Sequence, residues 1–243
     1  MDNLPLIVQC GDRCVSVEFE NLISPEVNKK VRSLLDVLDK KQFPWVTDMV
    51  PSYRSLLVCY DPNLISKANV DKHLLESWKV TPKIIDGSSR LIEIPTMYGG
   101  IRGPDLEFVA NYHGVDAETI IATHSEPVYQ VYMLGFSPGF PYLGGMPEKI
   151  ATPRLESPRK QVPAGSVGIA NQQTGIYPSI SPGGWRLIGQ TPLILFDQDR
   201  EPPAIFAAGD KLKFFSIDEH EFTRISKLVS SGKYYGFTES TKS

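Results

Sequence analysis

The first third of the chain alternates apolar and polar positions in a way that predicts strands first and a helix after them. Residues 5–10 (PLIVQC) are mostly apolar. Cys14 to Phe19 puts Val15, Val17 and Phe19 on one face and Ser16 and Glu18 on the other. Gly11-Asp12 between them marks a turn. The period then changes: Val27, Val31, Leu34, Leu35 and Leu38 make one helical apolar stripe. Ser24 suits the N-cap, Pro25 the first helical position, and Glu26 the positive helix start. Trp45–Val50 and Arg54–Tyr60 predict two further strands around Pro51-Ser52-Tyr53, and Ser66 to Lys79 predicts a second helix. Ile84–Ile85 and Leu91–Ile94 read as strands. Two helices on one face of a small antiparallel sheet predict an α+β, ferredoxin-like sandwich over residues 1–86. The polar run Asp86-Gly87-Ser88-Ser89 predicts the boundary.

Beyond it, Tyr98 to Pro104 reads as a loop. Asp105 is placed to cap a short helix through His113, and Asp116 to cap another through His124, stopped by Glu126-Pro127. Strands are predicted at Val128–Leu134, Ser166–Ala170, Trp185–Gly189, Leu193–Phe196 and Lys211–Ile217. Glu219 to Val229 reads as a closing helix. Short strands with frequent turn signals predict a mainly β barrel over 90–230. The polar remainder, 231–243, predicts a flexible tail.

The densest signal lies between Tyr132 and Trp185. Gly and Pro recur every few residues there, which excludes a long helix and favours short strands joined by fixed turns. The blocks GFSPGFPYLGG, TPR, SPR, VPAGSVGIA, QTGIYP and SPGGW follow in order. This series resembles the B subunit of the ATP-dependent 5-oxoprolinase, a family also called allophanate hydrolase subunit 1 or KipI-like. Ser137 stands where an alanine is common, and Asn171-Gln172 where a glycine is common. The resemblance implies a cyclophilin-like barrel for the second half.

Composition narrows the field. The chain has 243 residues, 41% hydrophobic, with a net charge of −3. That balance gives no overall field for nucleic acid. No apolar run approaches the roughly 18 to 20 residues of a membrane span. The first residues, MDNLPLIVQCGD, lack the pattern of a secretory signal, so the cytoplasm is the expected location. The three cysteines, Cys10, Cys14 and Cys59, lie in strand-like segments and are expected to be buried, reduced thiols. Their spacing and the absence of neighbouring histidines predict no metal site.

Arg154 and Arg159 each follow a proline, with Lys160 beside the second. A stiffened guanidinium suits a carboxylate or phosphate, and a solvated basic turn is the plainer alternative. His124, at a helix end beside Ser125-Glu126, is a candidate proton carrier or a capping residue. Ser166, Gln173, Thr174 and Tyr177 can orient a small amide, or simply satisfy turns and strand ends. Phe136, Phe140 and Trp185 supply apolar surface, either for binding or for the core. No phosphate loop, dinucleotide fingerprint, nucleophile elbow or HExxH is present. The resemblance implies opening of 5-oxo-L-proline to L-glutamate with ATP hydrolysis, ATP being held at a site shared with the A and C subunits of 5-oxoprolinase as partners. It also implies two alternatives. One is KipI-like inhibition of a sporulation sensor histidine kinase through the loop Phe136–Tyr142. The other is half of a urea-amidolyase-like carboxyltransferase.

Overall fold

A computed structural model describes residues 4–81, 90–233 and 237–240. The predicted strand Ile84–Ile85 and the linker Asp86–Ser89 lie outside the described residues. The chain divides into two compact units, 1–87 and 88–243.

In the first unit the order is β1 (Leu6–Cys10), β2 (Cys14–Glu18), α1 (Pro25–Lys41), β3 (Val46–Pro51), β4 (Ser55–Tyr60) and α2 (Lys67–Lys79). The strands pair antiparallel in the order β1-β2-β4-β3. Helix α1 starts where its sequence dictates. The Ser24 hydroxyl accepts from the Val27 N–H at 3.2 Å, and Pro25 opens the first turn. Val27, Val31, Leu34 and Leu38 are buried with Val70 and Leu74 of α2 against Val15, Val17, Leu56, Val58 and Tyr60 of the sheet. The cysteines alternate with these positions and fall on the opposite sheet face. Cys10 is therefore exposed, and Cys14 and Cys59 are half-buried, which corrects the expectation that all three are buried.

The second unit contains β5 (Arg90–Tyr98), α3 (Leu106–His113), α4 (Ala117–Ser125), β6 (Tyr129–Leu134), β7 (Pro141–Gly144), β8 (Arg159–Val162), β9 (Ser166–Ala170), β10 (Gln173–Ile176), β11 (Ser181–Gly183), β12 (Arg186–Gln190), β13 (Lys211–Ser216), α5 (Glu219–Ser230) and β14 (Phe237–Ser240). The hydrogen-bonded order β12-β9-β10-β7-β6-β13-β5 returns to β12 through a β12–β5 pairing, which closes a seven-strand barrel. β14 pairs antiparallel with β5, so the chain's polar end supplies a strand where fraying was expected. β11 and β8 form a separate ribbon. Leu193 to Phe196 is extended but not a ladder strand. Its neighbour carries Pro202 and Pro203, which have no N–H to give, and only the Phe196–Ala204 bridge forms.

The closure is short. Gly189 pairs with Tyr98 and Gln190 with Met97. The loop after β5 reinforces it. Gly99 N–H donates to the Ile188 carbonyl at 3.0 Å and Asp105 N–H to the Leu187 carbonyl at 2.9 Å. A Cβ on Gly103 would lie 2.1 Å from the Ile188 carbonyl oxygen, so only glycine lets the loop lie this close. Asp105 precedes α3 but does not cap it, contrary to the sequence expectation. Its Oδ1 accepts from Arg159 Nη2 at 2.8 Å and its Oδ2 from the Leu187 N–H at 2.6 Å. A carboxylate this buried gains more from a guanidinium and a strand amide than from an exposed helix start.

Inside the barrel, His124 stands one turn after Ile120 on the buried face of α4, and both are fully buried. Thr174 Oγ1 donates to the Gly168 carbonyl at 3.1 Å, so it accepts from His124 Nε2–H at 2.8 Å. Nδ1 is then the acceptor for the Tyr98 hydroxyl at 2.8 Å. This chain of bonds fixes the neutral ring with its proton on Nε2. The helix terminus favours imidazolium by only about 0.3–1 kcal/mol at ordinary sites. Burial outweighs that and pushes the pKa from 6.5 down to about 3.

The unfolded chain therefore binds a proton at residue 124 below pH 6.5 that the native state refuses until about pH 3. His124 should make stability fall by about 1.4 kcal/mol per pH unit across that window. Denaturant titrations at stepped pH should show a His124→Gln variant losing one proton's worth of slope. An unchanged slope would contradict the buried neutral ring.

Candidate functional site

A cleft of about 350 Å³ opens on the barrel unit beside the β8–β11 ribbon. It gathers residues from four separated stretches: Phe136, Phe140 and Tyr142; Arg154 and Pro158; Ala170, Asn171 and Gln173; and Tyr177 with Pro182 to Trp185. Each stretch is a turn or strand end from the Gly/Pro-rich half. The punctuation of the sequence thus becomes the wall of a concavity.

Phe140 is its centre. It is buried and meets Phe136, Tyr142, Tyr177 and Trp185 edge-on, with ring centroids 5.5, 5.1, 5.7 and 5.6 Å away. Such edge-to-face contacts each add about 0.5–1.5 kcal/mol beyond buried area. Burial raises the Tyr177 phenol above its usual pKa, partly offset by a backbone hydrogen bond from Trp185 and the charges of Arg154 and Arg159. Burial likewise raises Tyr142.

Of the residues picked from the sequence, Phe136, Phe140, Arg154, Gln173, Tyr177 and Trp185 meet in this cleft. Arg154 is exposed, and among the described residues no carboxylate pairs with it. Arg159 is spoken for: it pairs with Asp105, and its Nη1 donates to the Trp185 carbonyl at 3.3 Å. It thus supports the cleft floor from behind. Lys160 is exposed on β8, outside the lining. Ser166 and Thr174 are buried. Ser166 gives its carbonyl to the Tyr177 N–H at 2.9 Å, whereas Thr174 bonds His124. His124 itself is held neutral and faces the barrel core rather than the cleft. Tyr142, Pro158 and Asn171 were not singled out by the sequence. Their signal was membership of the same turn-rich blocks.

Two lining residues have left-handed backbones although neither is glycine: Phe136 at φ 65° and Asn171 at φ 52°. Asparagine tolerates this in the two-residue turn between β9 and β10. Phenylalanine does not. Ser137 N–H donates to the Gly135 carbonyl at 2.7 Å, closing a three-residue turn around Phe136 of the rare positive-φ kind. Such strain costs about 1–3 kcal/mol. It holds a ring that is 68% exposed at the mouth of the cleft. Among the described residues no cluster of His, Cys, Asp or Glu has the geometry to hold a metal ion.

A Phe136→Gly variant should keep its stability to within about 1 kcal/mol, because relief of strain offsets the lost contact with Phe140. Urea melts check this. A loss of about 3 kcal/mol or more would mean that Phe136 is a core residue and not a strained, outward-held one.

The family model "Carboxyltransferase domain, subdomain C and D" matches residues 5–206. The chain is 42% identical over 230 residues to the B subunit of 5-oxoprolinase from Bacillus subtilis (strain 168), covering 89% of this chain and 94% of that protein. A conserved uncharacterized protein from Pyrococcus horikoshii, of known crystal structure, is 50% identical with a TM-score of 0.54, covering 89% of this chain and 100% of that one. The urea carboxylase of Kluyveromyces lactis shares the fold at 20% identity, with a TM-score of 0.79 over 96% of this chain and 23% of its own length. The matches bear out the resemblance read from the Gly/Pro-rich blocks: the chain belongs to the carboxyltransferase subdomain C and D family and, within it, to the 5-oxoprolinase B-subunit proteins.

Proposed function

We propose that this chain is the B subunit of an ATP-hydrolysing 5-oxoprolinase and that the cleft is its share of a composite site. The observation that carries the reading is Arg154, a cation with no carboxylate partner among the described residues, at the rim of an aromatic cleft. 5-Oxo-L-proline has the matching chemistry: a carboxylate for the guanidinium fork, a flat ring for Phe140 and Trp185, and a lactam within reach of Gln173. The cleft's one charged lining residue and its size suit a small carboxylate. They do not suit the phosphates of ATP, and the sequence carries no phosphate loop. ATP would accordingly be the co-substrate of the partnering A and C subunits, held where they meet this chain. An unactivated lactam is a poor electrophile. Transfer of a phosphoryl group to its oxygen creates a leaving group that water can displace as the C–N bond opens.

Within that scheme His124 is a positioning residue. Through Thr174 it fixes β10, whose first residue, Gln173, lines the cleft. The seven-strand closure supports a cyclophilin-like barrel. The order β1-β2-β4-β3 supports a ferredoxin-like sandwich in which β1 takes the edge position. The exposed Phe136 favours a docked polypeptide at the cleft mouth, and a sensor histidine kinase is the second reading for that occupant. Undiminished kinase autophosphorylation at saturating chain would remove it.

In a complex reconstituted from the A, B and C subunits, Arg154→Ala should lower kcat/KM for 5-oxoproline about 10- to 100-fold, mostly through KM. That is the value of one charge-assisted hydrogen-bonded contact. Arg154→Lys should recover part of the loss. Steady-state kinetics checks this, and an unchanged KM in Arg154→Ala would overturn the assignment.

A further inference from the structure

Three thiols stand abreast on the outer face of the N-terminal sheet. The register sets Cys10 opposite Cys14 and Cys14 opposite Cys59. Backbone bonds show which pair is closer. Tyr60 N–H donates to the Arg13 carbonyl at 2.7 Å and Phe19 N–H to the Arg54 carbonyl at 2.9 Å. The odd-numbered residues along β2 therefore turn their amides toward β4, and the even-numbered ones toward β1. Cys14 and Cys59 form a non-hydrogen-bonded pair, with Cα atoms about 4.5 Å apart. Cys10 and Cys14 form a hydrogen-bonded pair, at about 5.5 Å. Both spacings fall in the disulfide range of about 4.4–6.8 Å, and the first brings the side chains closest.

The environments of the three thiols differ. Cys10 is exposed, and the other two are half-buried. Burial, then a hydrogen bond with Cys14, pushes the Cys59 thiol up to about 11, so it rests protonated against its neighbour. The only cysteine opposite both others is Cys14.

We propose that this row is an oxidation site at which hydrogen peroxide converts Cys14 and Cys59 into a cross-strand disulfide, with Cys10 as the thiol that peroxide meets first. The Cys10 thiolate attacks one peroxide oxygen and the O–O bond breaks. A sulfenic acid forms, and the second oxygen leaves as water. Cys14 sulfur displaces the hydroxyl from that sulfenic sulfur, forming the Cys10–Cys14 disulfide and a second water. Cys59 then attacks the Cys14 sulfur and expels Cys10, which takes up the proton that Cys59 gives up. In sum, two thiols are oxidised by two electrons and one peroxide is reduced to two waters. The small thiolate fraction of Cys59 makes the last exchange the slow step.

The test is timed alkylation and peptide mapping of the full chain after hydrogen peroxide. The expected end product lacks the mass of two hydrogen atoms, links Cys14 to Cys59, and leaves Cys10 alkylatable, after an early Cys10–Cys14 species. Cys14→Ser should give no intrachain disulfide. Cys10→Ser should slow disulfide formation about tenfold or more, because the exposed entry point is gone. An oxidised end product joining Cys10 to Cys14, three thiols that stay alkylatable, or a disulfide that persists in Cys14→Ser would each overturn the proposal. Thermal melts of the reduced variants confirm that each is folded before oxidation.

Discussion

Closure of the barrel rests on contacts between the β5 end and β12, and the cleft inherits its shape from them. The ladder there is only the pairs Gly189–Tyr98 and Gln190–Met97. Two residue pairs are little to hold a barrel shut. The remainder comes from the loop laid along β12 and from the buried carboxylate of Asp105, which takes one donor from Leu187 and another from Arg159. Hydrogen bonds to charged groups contribute about 1.5–3 kcal/mol each, more than the neutral bonds of the ladder. Trp185 immediately precedes β12, and its carbonyl is a further acceptor for Arg159. One carboxylate thus ties the seam, the ribbon strand β8 and the cleft floor together. The arginine that resembles a ligand-binding residue in sequence is the one that builds the floor, which leaves its neighbour in the turn, Arg154, unpaired among the described residues.

The rim behaves differently from the floor. Phe140 is locked by four aromatic neighbours, whereas Phe136 is held outward on a strained backbone and meets the edge of Phe140. Strain at the mouth of a rigid concavity is a pattern in which stability is given up to present a side chain. A ring held in solvent gains nothing by itself. It gains when another surface covers it, which fits a site completed by a second polypeptide.

Much of the fold was legible in the sequence, for local reasons. Helix α1 announces itself through Ser24, Pro25 and a five-residue apolar stripe, and α4 through Asp116, whose carboxylate accepts from Thr119 N–H at 2.7 Å. The strands β7, β8, β10 and β11 escaped notice because each has only three or four residues, several of them Gly or Pro, too short for a period to emerge. Asp105 carries the local signature of a cap, but a partner 54 residues away wins over the helix. His124 shows the same limit in reverse. Its distance of one turn from Ile120 places it on the buried face, yet a polar residue near a helix end reads as exposed. The cleft's composition was legible as a block of turns with aromatics. Which arginine faces it was not, since that depends on the ion pair between β8 and the residue before α3. The cysteines' alternation with Val15 and Val17 was visible, but their alignment across three strands needed the register.

The central claim is that this chain offers an aromatic, arginine-bearing wall that another polypeptide covers. Hydrogen exchange measured on the chain alone and in the complex with the proposed A and C subunits tests it most directly. The account predicts slowed exchange in 135–142, 154–158 and 182–185, with the outer face of the N-terminal sheet unchanged. Protection confined to other surfaces, with these three stretches exchanging as in the free chain, would contradict it.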